Sequence, residues 1–371
     1  MIMMGKLVVS LIWVFWMMAL SPAEGQDPMK EKLGVGIPKS EYNPTYSSTF
    51  NRVIDRGNVI CGINDEFPGF SQEIWNSEDG DRWEGFDVEV CRAVAAAIFG
   101  DANAIEFTIV NGKTRFEFLI DGSIDILSAA TTFTYTRNVA KKLEFMPTTY
   151  YDGQGFIVRK TLGVSSAKQM EGARICFSGS GTAAKNIADF MGLHGINYIP
   201  VNVPPTEKTK NVYKRGDCDM YGTDRSGLAS NRLSFEDPSR HMILPEIISK
   251  EPLGPVVRYG DQKWSDVVRW TIYVLFIAEE MGINSKNIDT FKNHIDSNIQ
   301  RFMGEKNGED HPHLGAKLGL RATWSYDIIK QVGNYKEIYE RNVGLDTPIG
   351  LQRGLNRLYN HGGLLYAPPL K

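Results

Sequence analysis

The residues best suited to chemistry in this 371-residue chain lie between positions 125 and 156, DILSAATTFTYTRNVAKKLEFMPTTYYDGQGF. Thr131, Thr132, Thr134 and Thr136 offer hydroxyls, and Arg137 follows them. A guanidinium presents a planar fork of donors that matches a carboxylate in two parallel hydrogen bonds. The plainer alternative makes Arg137 a surface arginine near Glu144 and the threonines ordinary turn formers. A second candidate is Ser178-Gly179-Ser180-Gly181-Thr182, where backbone N–H groups at a helix start would point at an anion and Thr182 would add a hydroxyl. A third is Asp224 in CDMYGTD, whose carboxylate would suit an ammonium group; it would equally suit a strand end or a helix cap.

Other chemistries find little support. The histidines at 194, 241, 294, 311, 313 and 361 lie mostly away from these stretches, and His311-Pro312-His313 alone is a weak metal signal. There is no GxSxG elbow, no Walker loop and no GxGxxG after a strand, so neither a nucleophile nor a nucleotide cofactor is nominated. Asp217 and Asp219 flank Cys218 near a turn, where solvated aspartates are expected. No cofactor and no metal are expected. The formal net charge is −3 and no polybasic run occurs, which argues against nucleic acid or an anionic membrane as partner.

The elements that position the candidates alternate. Short apolar runs read as strands (NVICGIN, AIEFTIV, DIL) and are separated by helical patterns, of which FDVEVCRAVAAAIFGDA is the strongest, with Gly100 as its stop. Between them, DEFPGFSQEIWNSEDGDRWEG reads as a loop. Strand and helix in alternation imply a doubly wound parallel sheet. After DGQGFIVRK the succession starts again with ARICFS, GTAAKNIADFMGL, NYIPVNV, PTEKTKNVYKRG and CDMYGTD. HMILPEIISKEPLGPVVRYG reads as extended chain leaving this second lobe, and KWSDVVRWTIYVLFIAEEMG as a long buried helix. The final hundred residues read as helical and polar, ending in GGLLYAPPL, without a chemical motif.

Two such lobes would close by a hinge over something small, with the three candidates converging at the carboxyl edges of the strands. Together they would hold a free α-amino acid by both charged ends, and Phe67 and Phe70 would cover its apolar part. Lys6, the apolar run Leu7–Leu20 and Ser21-Pro22-Ala23 predict an export signal over 1–23, the alternative being an uncleaved anchor. Residues 24–50 read as a mobile leader. For an exported chain, Cys61, Cys91, Cys176 and Cys218 lack zinc spacing and admit three pairings. Cys61–Cys91 with Cys176–Cys218 is the simplest in topology, each closing a loop for about 3–4 kcal/mol.

From about Arg52 onward the chain resembles the general L-amino-acid binding proteins of polar amino-acid ABC transporters, among the periplasmic solute-binding proteins. The resemblance rests on GFDVEVCRAVAAAIFGDA, YYDGQGFIV, LPEIISKEPLGPVVRYGD and GGLLYAPPL. It implies a type II periplasmic-binding-protein fold, α/β, with the ligand cleft between two doubly wound lobes. The first lobe would hold 51–154, completed by 250–371 with its helical extension, and 155–249 would form the second. It further implies that the family's carboxylate-binding arginine falls on Arg137, the threonine five before it on Thr132, its helix-start threonine on Thr182, its ammonium-binding aspartate on Asp224 and its aromatic cover on Phe67; Ser180 and Gly181 complete the helix start expected to hold the carboxylate. Ala130 stands where close relatives carry a polar residue, and Ala183-Ala184-Lys185 replaces hydroxyls and an acid beside the pocket, so the side-chain preference is expected to differ. The expected partners are a free L-amino acid and a membrane permease, for a monomeric periplasmic receptor. A dehydratase-like enzyme on the same frame, or a sensory receptor, are the rival readings; a neighbouring permease or sensor-kinase gene would separate them.

Overall fold

The computed structural model describes residues 48–65, 67–74, 82–179, 181–305 and 313–371. The expected export signal, nearly all of the leader, Ser180 and His311 lie outside these residues. Helix α1 (Thr49–Arg56) is capped by the Ser48 hydroxyl and pinned by Asp261, which accepts from the Thr49 N–H at 2.7 Å. Regular structure therefore begins slightly earlier than the sequence pattern suggests.

Strand β1 (Val59–Asn64) is followed by a hairpin, β2 (Gln72–Ile74) and β3 (Arg82–Glu84), inside the stretch expected to be only a loop. Next come helix α2 (Phe86–Phe99), β4 (Ile105–Val110), α3 (Arg115–Asp121), β5 (Ile126–Leu127) and β6 (Leu143–Phe145). Helix α2 is buried at eleven of its fourteen positions. A helix apolar on all sides must be covered on all sides, and here the sheet covers one flank and helices from the end of the chain the other.

The chain then passes through β7 (Tyr150–Asp152) into β8 (Gln154–Arg159), β9 (Arg174–Ser178), α4 (Ala183–Leu193), β10 (Ile199–Val203), α5 (Thr209–Arg215), β11 (Met220–Asp224), α6 (Arg225–Arg232) and β12 (His241–Ile243). It returns through β13 (Glu251–Leu253) and β14 (Val256–Arg258). The first sheet has the order β4-β1-β5-β14-β6 and the second β10-β9-β11-β8-β12. Neither is purely parallel, which corrects the expectation from alternation. In the first sheet β14 runs antiparallel to β5 and β6, and in the second β8 runs antiparallel to β11 and β12. Both are the strands that enter from a crossover, so they reach their sheet from the end opposite to the strands fed by helices. Strands β7 and β13 pair with each other as a separate antiparallel ribbon, with Asp152 opposite Glu251.

Alternate residues of the second sheet face two different cores: Phe156 and Val158 pack with Ile175, Ile187 and Met220, while Ile157 packs with Cys176, Tyr213 and Tyr221. That is the period of two expected of a sheet covered on both faces. Cys61 on β1 is bonded to Cys91 on α2, and Cys176 on β9 to Cys218 just before β11.

The remainder is helical: α7 (Gln262–Glu280), α8 (Ser297–Phe302), α9 (Leu314–Leu318), α10 (Trp324–Val332) and α11 (Tyr335–Asn342). Among the described residues no helix is long and apolar enough to cross a membrane. The final hundred residues are less polar in their role than their composition suggests, because Trp324, Ile328, Ile329, Tyr335, Ile338 and Tyr339 are buried in the first lobe's core with α2 and α7.

Candidate functional site

The loop after β5 is fixed from several directions. Asp87, in the first turn of α2, accepts from the Ser128 hydroxyl at 3.2 Å and from the Ala130 N–H at 3.0 Å. Burial pushes its carboxyl up to about 7, against the pull of those two hydrogen bonds. Ala130 itself has φ 42°, in the left-handed region that side chains seldom adopt. Beyond it the backbone is stitched to the returning crossover: Gly254 N–H donates to the Thr131 carbonyl at 3.1 Å and Phe133 N–H to the Pro252 carbonyl at 2.8 Å.

Arg137 lies in a π-helical turn, residues Thr136–Ala140. Such turns insert one extra residue and recur at functional positions. Its guanidinium folds back to donate to the Thr132 carbonyl at 2.7 Å and sits 5.5 Å from the centre of the Phe116 ring. Only 8% of the residue is exposed. The surface-arginine alternative fails, since Glu144 is paired with Arg269 at 3.1 Å instead. Arg115, at the start of α3, lies 5.1 Å from the same ring, and its Nε is buried without a hydrogen-bond partner. Burial, with Arg137 nearby, lowers its pKa to about 10, and Asp224 opposes that shift. Sequence reasoning missed Arg115, although an arginine opening a helix just after a strand's carboxyl end was a legible signal.

Asp224 ends β11 and occupies the cap position of α6, yet its side chain makes no capping hydrogen bond. Asp152 of the hinge ribbon does that work, accepting from the Ser226 N–H at 3.1 Å. The Asp224 carboxyl is pushed well above the usual range by burial and by Asp152 and Glu251, while Arg137 and Arg115 pull it down. Arg137, lowered chiefly by burial, feels Glu251 and Asp224 in the opposite sense. Arg137, Arg115 and Asp224 therefore lie within electrostatic reach of one another.

At the helix start the structure adds a partner that the sequence did not name. The Thr182 hydroxyl lies 3.4 Å from each oxygen of Glu251, and Asn186 of α4 donates to that carboxylate at 2.7 Å. Ser249 adds a hydroxyl donor at 2.8 Å. A buried carboxylate of the protein thus already engages the hydroxyl expected to hold an anion. Glu251 was missed because an acid within extended chain carries no local signature. Gly181 is exposed, with the Ala183 backbone nitrogen 3.9 Å from where a side chain would begin, and Ser180 lies outside the described residues.

Phe67 reaches the second lobe, its ring lying 4.0 Å from where a Cβ on Gly227 of α6 would stand. Phe70 does not join it as a cover. It is buried in the core, stacked under Phe67 at 4.5 Å and edge-on to Tyr150 at 5.4 Å, and so supports the ring that faces the cleft. Gly85 makes this loop's seat possible: its φ is 129° and any Cβ would strike the Phe70 carbonyl at 2.3 Å. Lys208 of the second lobe meets Asp65 of the first at 3.1 Å at the exposed rim. Among the described residues no group of His, Cys, Asp and Glu has the arrangement of a metal site.

Residues 59–309 match the model for bacterial extracellular solute-binding proteins, family 3. The chain is 46% identical over 348 residues to the general L-amino acid-binding periplasmic protein AapJ of Rhizobium johnstonii, covering 92% of this chain and all of the relative. It is 43% identical to the glutamate/glutamine/aspartate/asparagine-binding protein BztA of Rhodobacter capsulatus, covering 88% of this chain and 94% of the relative. A solved periplasmic binding protein of an ABC transporter from Brucella ovis, with glutathione bound, superposes with a TM-score of 0.83 at 42% identity, over 88% of this chain and all of that one.

Proposed function

Because the chain belongs to the bacterial extracellular solute-binding proteins, family 3, we propose that it is the periplasmic receptor of an amino-acid ABC transporter. It binds the free α-amino-acid head of its ligand and delivers it to a membrane permease. The observation that supports this reading is the buried Arg137 guanidinium within electrostatic reach of the Asp224 carboxyl at the end of β11, each opposing the shift that burial imposes on the other. One supplies the donor fork a carboxylate takes, and the other the charge an ammonium takes. The named ligands of the similar proteins share that head group, glutathione included, since its first residue is a glutamate joined through its side chain and keeps both charged α-groups. Residues 51–154 and 250–371 act as one lobe and 155–249 as the other, and ligand shifts the population toward closure.

Arg115 favours a narrower reading within this function. A second guanidinium with an unsatisfied Nε suits a ligand whose side chain carries another carboxylate or amide oxygen. Calorimetry with the twenty amino acids and glutathione tests both levels. If Arg137→Ala and Asp224→Ala each left every affinity within tenfold, about 1.4 kcal/mol, the assigned head-group contacts would be wrong. If Arg115→Ala weakened leucine and glutamate equally, the narrower reading would be wrong.

A further inference from the structure

The β7–β13 ribbon carries both crossings between the lobes. Strand β13 pairs along one edge of β7. Tyr151, in the middle of β7, faces Pro252, which has no N–H to give. The Tyr151 backbone groups are taken instead by Asn356, which is 3% exposed and lies in the C-terminal segment after α11. Its Oδ1 accepts from the Tyr151 N–H at 2.6 Å, and its Nδ2 donates to the Tyr151 carbonyl at 3.2 Å. A single amide thus satisfies both groups that a neighbouring strand would have satisfied.

Asn356 is in turn held. Arg353 donates to its carbonyl from Nε at 3.0 Å and from Nη2 at 2.7 Å. Arg353 is clamped by both oxygens of Glu279 on α7, at 2.7 and 3.1 Å, and lies 5.1 Å over the ring of Tyr335. The Tyr335 hydroxyl donates to the Thr149 carbonyl at 2.7 Å, immediately before β7. The path runs from the first lobe's core, through a charged clamp, to the backbone of the hinge. One residue further along β7, Asp152 caps α6, the helix that follows Asp224. The family model ends at residue 309, so this segment lies beyond the part matched to it.

We infer that Asn356 is a positioning residue for ligand capture: through Tyr151 it fixes the hinge strand, and so sets how readily the lobes separate. The inference rests on the receptor reading above for its ligand consequences, but the hinge claim itself is readable without ligand. The experiment uses the full-length chain as wild type, Asn356→Ala and the milder Tyr335→Phe. Hydrogen exchange at the Tyr151 amide and the ligand-free lobe separation by small-angle scattering are measured first. Dissociation of L-glutamate by stopped flow follows.

In Asn356→Ala the Tyr151 amide is expected to exchange about tenfold faster while amides of both sheet cores keep their protection. The ligand-free molecule should widen, and L-glutamate should leave about fivefold faster with little change in association. Tyr335→Phe should move the same quantities in the same direction, about twofold. Unchanged Tyr151 exchange and lobe separation would overturn the inference. So would uniform loss of protection in Asn356→Ala together with a silent Tyr335→Phe, which would mark a merely structural contact. A wild-type protein that binds no amino acid would defeat the receptor reading, while exchange and scattering still decide the hinge.

Discussion

On the first-lobe face of the cleft, Arg137 is fixed before any ligand arrives: its guanidinium is bonded to the Thr132 carbonyl, its loop is clamped by Asp87, and the crossover backbone is laced to Thr131 and Phe133. At the end of β11, Asp224 has been relieved of capping by Asp152, and burial together with the neighbouring Asp152 and Glu251 raises its pKa. Arg137 is preorganised, whereas the surroundings of Asp224 disfavour its ionised form until a cation lies beside it. Preorganisation lowers the ordering needed on binding, while ionising a buried carboxyl costs part of what an ammonium contact gains.

Five variants would break or sharpen that contrast. Arg137→Ala should have the largest effect, weakening binding by about a hundredfold or more, since truncating one partner of a buried charge pair costs about 2–5 kcal/mol; calorimetry reads it. Arg137→Lys should recover only part, because an ammonium cannot reproduce the fork.

Asp224→Asn should weaken binding by about tenfold or more and also change its pH dependence. In the free protein the raised pKa keeps Asp224 protonated further up the pH scale, so wild-type affinity should rise with pH as the carboxyl ionises, with a proton released on binding. The asparagine variant should show a flatter profile. A wild-type profile flat from pH 5 to 8 would remove Asp224 from the ammonium site.

Thr182→Val separates the two accounts of the helix start. With the hydroxyl engaged by Glu251, the loss should be about threefold, near the lower end for a neutral hydrogen bond. A loss beyond about thirtyfold would restore Thr182 as a direct carboxylate ligand. Asp87→Asn should have the smallest effect on affinity near neutral pH. Its signature is in stability: a carboxyl raised to about 7 contributes most below its unfolded pKa, and that contribution is lost as pH climbs toward 7. The wild-type melting temperature should therefore carry a falling component between pH 4 and 7 that the variant lacks.

Much of this molecule was legible because its signals are local. The burial of helix α2 follows from the apolar run FDVEVCRAVAAAIF, and the two disulfides join the cysteines that are near neighbours in topology. Phe70 was misread as a cover because an aromatic pair in a loop gives no sign of which ring turns inward. The antiparallel course of β8 and β14 within sheets expected to be parallel was not foreseen, because strand pattern does not encode the end from which a strand enters its sheet. Glu251 was passed over for the same kind of reason, since an acid within extended chain carries no local signature, whereas Arg115 at a helix start after a strand was legible and was missed.

By itself the sequence determined the alternation of strand and helix, the recurrence that makes two α/β lobes, and the presence of residue types suited to a zwitterion, because propensity, period and functional-group chemistry all act within a few residues. Only the tertiary structure decided that Arg115 comes within electrostatic reach of Asp224, that Glu251 reaches the start of α4, and that Asn356 bonds Tyr151, 205 positions away. Contacts of that separation come from how packed layers close over one another, and no stretch of chain short enough to carry a pattern records them.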